Sequence, residues 1–178
     1  MKIHRNENAR RGDRDACRSV PIPYPVPGPR GPEGPRGPQG PSGSAPTPTY
    51  AFAENALESI VVTAAGVLVP LARHFVLSAG VSVSVDATVF TVLVPGVYRL
   101  AYAVNTEAPS LVGTRLLLNG RPVEAAALSF PTAVNQHAAE ALLHLTAGDA
   151  LSLQLYGVDQ RVTFLSGAGA SLSIIKIN

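Results

Sequence analysis

The sequence predicts an all-β sandwich of short strands behind an extended arm suited to winding with two other chains. Three observations predict it. Glycine recurs at every third position from residue 28 to residue 43, with proline following it in all five triplets. From Thr49 onward, apolar and polar residues alternate with period two, and turn residues punctuate that stretch every 8–12 positions.

Composition divides at the same place. Of 16 prolines, 11 fall between Pro21 and Pro48, together with six of the 16 glycines. Residues 1–45 carry a net charge of +4 and the remainder −2. A charged fraction of 15% and a mean hydropathy of +0.20 exclude a charged, unfolded polymer as a description of the whole chain. The basic residues of the arm have no aromatics among them and no recognisable binding module around them. Nucleic acid is therefore not an expected partner.

Residues 1–19 form a polar, basic tail. The charged opening Met1-Lys-Ile-His-Arg5 has no apolar run behind it, so a secretory signal is not expected and synthesis in a cytoplasm is. Cys17 is the only cysteine. A single thiol per chain cannot pair within its own chain, and in a threefold assembly at least one of three must look outward or stay free. An intermolecular crosslink and an inert thiol both remain open.

Residues 20–27 alternate apolar residues (Val20, Ile22, Tyr24, Val26) with Pro21, Pro23, Pro25 and Pro27. In an extended strand, successive N–H groups point to opposite edges. Proline at every second position thus strips all donors from one edge and leaves the other intact. Such a strand can add to one sheet edge and then cannot be extended. A polyproline-II spacer is the alternative. Four apolar side chains at regular spacing favour docking.

Gly28, Gly31, Gly34, Gly37, Gly40 and Gly43 define the triplet repeat. Three polyproline-II chains wind so tightly that only hydrogen fits at the axis every third residue, which fixes a stoichiometry of three. At about 3.1 Å per residue the repeat spans roughly 45 Å, too short to hold together alone. An adjoining trimeric domain is needed to raise the local chain concentration. Arg30, Glu33 and Arg36 alternate in sign and allow weak pairing between neighbouring chains. Residues 44–48 are a linker.

Residues 49–178 form the body. Val81–Val85 and Leu151–Leu155 alternate strictly, and Tyr98, Leu100, Tyr102 and Val104 share one strand face. Turns are expected at Ala79-Gly80, Pro95-Gly96, Asn119-Gly120, Ala147–Asp149 and Ser166-Gly167. Asn119-Gly120 suits a type I′ hairpin, and Pro122 assigns the second strand of that hairpin to a sheet edge. Residues 171–177 close the chain as a strand buried on most sides. The five phenylalanines, with Tyr50, Tyr98, Tyr102 and Tyr156, are each expected to seed core packing. The uncharged stretch Ser59–Ala72 contains Pro70 and is too short to cross a bilayer.

A short Gly-Pro-X run leading into a body that contains Thr91–Leu100 (TVLVPGVYRL), Leu116–Val123 (LLLNGRPV) and Ala170–Ile177 (ASLSIIKI) resembles bacterial collagen-like spore-surface glycoproteins. Their C-terminal domain is a C1q/TNF-like jelly roll. The resemblance implies a tight homotrimer, two five-stranded sheets per protomer and a structural role outside the endospore. This chain departs from the long members of that family in having five triplets and no threonine among them. In that respect it is similar to spore-appendage fibre subunits, whose N-terminal connectors insert into the next trimer.

No catalytic, metal-binding or cofactor motif stands out. His137 and Glu140, if on one strand, face opposite ways, as do His137 and His144. No nucleophile elbow appears, and no phosphate loop lies outside the triplets. His74 and His144 sit among apolar residues and read as structural histidines. The expected protein is a non-enzymatic homotrimer, joined head-to-tail or to a spore-surface anchor through residues 20–27. A C1q-like adhesin recognising a carbohydrate or host ligand is the alternative, and a phage tail-fibre tip a further one.

Overall fold

A computed structural model describes residues 25–37, 47–56 and 58–178. The chain divides into two units, residues 1–43 and 44–178. In the first unit, residues 25–37 are neither helix nor strand, and all are exposed. A Cβ placed on Gly28, Gly31, Gly34 or Gly37 would meet no atom within 4 Å. Cys17, Val20, Ile22, Tyr24, Gly40 and Gly43 lie outside the described residues.

The second unit is all-β, with 13 strands in the described residues. In chain order these begin with β1 (Tyr50–Asn55), β2 (Ser59–Val62), β3 (Val67–Leu68), β4 (His74–Leu77), β5 (Val81–Val83) and β6 (Phe90–Val92). The long β7 (Gly96–Ser110) follows, then the hairpin of β8 (Gly113–Leu118) and β9 (Arg121–Leu128). The chain ends with β10 (Val134–Leu145), β11 (Ala150–Tyr156), β12 (Gln160–Thr163) and β13 (Ala170–Lys176).

One antiparallel sheet has the order β10-β7-β13-β1-β4. The other runs β5-β6-β11-β8-β9, with β3 also paired to β11, and β12 and β2 form a small separate ribbon. The chain crosses between the two large sheets repeatedly, at β4–β5, β6–β7, β7–β8, β9–β10 and β11–β13 among others. Such crossing is characteristic of a double-sheet jelly roll. The second sheet therefore has six strands rather than five, because β3 extends the β11 edge beyond β6.

Period-two alternation positions the core. Tyr98, Leu100, Tyr102 and Val104 of β7 are buried against Leu151, Leu153 and Leu155 of β11 within one cluster. Burying each such leucine contributes about 1.5–3 kcal/mol. One polar link joins the sheets: the Tyr102 hydroxyl lies 2.9 Å from Thr114 Oγ1 and donates within 3.2 Å of the Ala126 carbonyl. Without those partners, burial of the hydroxyl would be unfavourable. At the predicted hairpin, Asn119 and Gly120 both have positive φ, 51° and 77°, as a type I′ turn requires. Pro122 lies on β9, which ends its sheet.

Three expectations fail for local reasons. The alternation of residues 81–85 does not extend the strand past Val83. Ser84, Asp86 and Thr88 hydrogen-bond one another instead and close a turn through Ala87 at φ 53°. Val85 is left fully exposed. The aromatics do not all enter the core: Phe90, Phe164, Tyr98 and Tyr102 are buried, while Tyr50, Phe52 and Phe75 are 38–45% exposed. His74 and His144 are exposed, and the buried histidine is His137.

Candidate interaction face

Five strands present their second face away from the core, and cross-strand register assembles that face row by row. Val76, Phe52, Ser173, Ala101 and Glu140 form one row across β4, β1, β13, β7 and β10. The next row carries Tyr50, Ile175, Arg99 and Leu142. A third joins Glu54, Ser171, Ala103 and Ala138, with His74 at its end. The large apolar side chains here are strongly exposed: Leu142 62%, Ile177 58%, Val76 46% and Ile175 41%. Ala101, Ala103, Ser171 and Ser173 lie between them on the central strands β7 and β13.

This arises because β1 and β13 carry apolar residues on the outward side as well as on the inward one. In β1 the buried Ala51 and Ala53 alternate with Tyr50 and Phe52, and in β13 the buried Ile174 is followed directly by Ile175. A strand that is apolar on both sides is suited to burial on both sides. Periodicity alone could not find this face, because reading alternation looks for a polar side. The available signal was the pairing of small residues inside with large ones outside along β1.

Charge on the face is largely neutralised. Arg99 Nε and Nη2 donate to the two carboxylate oxygens of Glu140, each at 2.6 Å. The hydrogen bond from Arg99 holds the Glu140 carboxyl below its ordinary range. The same bond raises the guanidinium. Both groups are about half exposed, so the pair adds little stability to the isolated chain.

The triplet glycines in view, Gly28, Gly31, Gly34 and Gly37, are exposed along the arm together with Val26, which is 88% exposed. Among the described residues, no three His, Cys, Asp or Glu side chains come together to hold a metal ion. His137 is 1% exposed, and neither ring nitrogen has a hydrogen-bond partner. Its ring packs edge-on against Phe130 at 5.2 Å, and burial lowers its pKa. No helix among the described residues is long and apolar enough to cross a membrane.

The strand order and double-sheet core define a C1q/TNF-type jelly roll with large apolar residues exposed on one outward sheet face. Residues 50–178 match the family model of the BclA C-terminal domain. The chain belongs to that family, the C-terminal domain of a Bacillus collagen-like spore protein. Among solved structures it is similar to murine APRIL, at 16% identity and a TM-score of 0.55, over 74% of this chain and 100% of that one. It is also similar to the Eiger TNF of S. frugiperda, at 14% identity and a TM-score of 0.52, over 74% and 93%. At such identities the likeness shows the fold alone. No curated protein matches the chain by sequence at a significant level.

Proposed function

We propose that this protein is a non-enzymatic structural subunit of a fibre on the endospore exterior. The body associates as a homotrimer through the outward face of the β10-β7-β13-β1-β4 sheet and so brings three arms together. The five triplets then wind as a short rod, and residues 20–27 dock the trimer onto a neighbouring trimer or an anchor. Docking between trimers is heterologous and does not close, so it yields filaments.

The observation that carries this reading is the exposed apolar patch of Phe52, Val76 and Ile175, whose side chains serve no core of their own. Family membership supports the spore-surface setting. The triplet glycines support the count of three. Gly28, Gly31, Gly34 and Gly37 each stand in open space among the described residues, where nothing requires the absence of a side chain. Packing at a three-chain axis does require it.

Removal of residues 1–27 tests the docking step. Electron microscopy of the full chain is expected to show filaments, and of the truncated chain isolated trimers. Filaments of unchanged length from the truncated chain would rule out docking through the arm.

A further inference from the structure

The open edge of β4 is chemically matched to the apolar–proline segment of the arm. β4 is the last strand of its sheet. Its sequence His74-Phe-Val-Leu77 carries neither Lys, Glu nor Pro, the residues that usually protect an edge from pairing. The other ends of the two sheets are guarded differently. β9 carries Arg121, Pro122 and Glu124 and packs against β10, and β5 has only three residues.

Register states which groups β4 offers. Phe52 pairs with Val76, and the Ser78 N–H donates to the Tyr50 carbonyl at 2.9 Å. Antiparallel ladders alternate, so Val76 and Ser78 turn their backbone groups toward β1, and Phe75 and Leu77 turn theirs to the open edge. No loop or turn backbone bond among the described residues reaches Phe75 or Leu77. Their side chains lie on the core side, opposite the buried Ala53 and Ala51. Phe75 is nevertheless 45% exposed, because the sheet ends beside it.

We infer that residues 20–26 of a second copy add antiparallel to this edge and complete the sheet. The inference rests on the docking reading above and adds the acceptor and the register. Ile22 and Tyr24 have N–H groups on a single edge of their strand. In an antiparallel pair, residues that exchange hydrogen bonds stand directly opposite with side chains on one face. Bonding to Phe75 and Leu77 therefore carries Ile22 and Tyr24 onto the core side, where they cover the exposed Phe75 ring. Pro21, Pro23 and Pro25 then face outward. The new outer edge has no donors, so growth of the sheet stops after one strand. A parallel pairing would instead place the apolar side chains on the Val76 face.

Cysteine pairing in the full-length Cys17→Ser protein tests this. Chains carrying Tyr24→Cys are purified separately from chains carrying Phe75→Cys, Leu77→Cys or Val76→Cys, mixed, and oxidised mildly. Disulfide-linked dimers are expected with Phe75→Cys or Leu77→Cys and at least tenfold less with Val76→Cys. A second variant, Phe75→Lys, is expected to reduce filaments at least tenfold at unchanged trimer mass. Preferred crosslinking to Val76→Cys would overturn the antiparallel register. Filaments from Phe75→Lys, with none from the chain lacking residues 1–27, would overturn the β4 assignment and leave docking intact. Filaments from the truncated chain would remove the docking reading itself.

Discussion

Glycine serves opposite purposes in the two units. In the body, a Cβ on Gly169 would sit 2.5 Å from the Asn55 carbonyl oxygen and 2.8 Å from Phe164 Cβ, and one on Gly113 would sit 2.7 Å from the Tyr156 ring. These glycines are required by contacts within their own chain. In the arm, Gly28, Gly31, Gly34 and Gly37 touch nothing. Their strict spacing has meaning only if other chains supply the crowding. On the proposed function, the body leaves one apolar face open, and the sequence of the arm serves its partners.

Paired substitutions sharpen that contrast. Gly34→Ala is expected to abolish the triple-helical circular dichroism signal of the full-length protein, because five triplets cannot tolerate a side chain at the axis. The unfolding transition of the body should stay where it was. Gly169→Ala should do the reverse, lowering body stability by about 3 kcal/mol, since backbone atoms block the new methyl group. An unchanged triple-helical signal in Gly34→Ala would show that the arm is a plain spacer.

Smaller effects probe the body alone. Tyr102→Phe removes the hydroxyl that reaches Thr114 and Ala126 and leaves those groups buried without it. A loss of about 2 kcal/mol by denaturant titration is expected. His137 sets a pH dependence. Burial disfavours its charged form in the folded state, so the unfolded chain takes up the proton first as pH falls below about 6.5. Stability is therefore full above that pH and declines as the pH falls below it. His137→Leu should flatten this slope, which thermal melts across pH 5–8 would reveal.

Much of the fold was legible because alternation and turn chemistry are local. Asn119-Gly120, Pro122 and the buried face of β7 all follow from residues a few positions apart. What failed depended on tertiary placement. Val81–Val85 alternates throughout, yet side-chain bonds from Ser84 to Asp86 close a turn where the pattern alone would continue a strand. The separation of buried Phe90 from exposed Phe52, and of buried His137 from exposed His144, depends on which face of a strand meets the second sheet. The interaction face was hidden for the same reason: Ile174 and Ile175 are equally apolar in sequence and point to opposite sides of β13.

The solution mass of the full-length protein, measured by sedimentation equilibrium beside the double variant Phe52→Lys/Ile175→Lys, tests the central claim most directly. Both residues are already about 40% exposed in the single chain, so the variant should fold. The account predicts three times the 18.5 kDa chain mass as the smallest stable species of the parent, and the single-chain mass for the variant. A parent that sediments as a single chain, or a variant that remains trimeric, would contradict it.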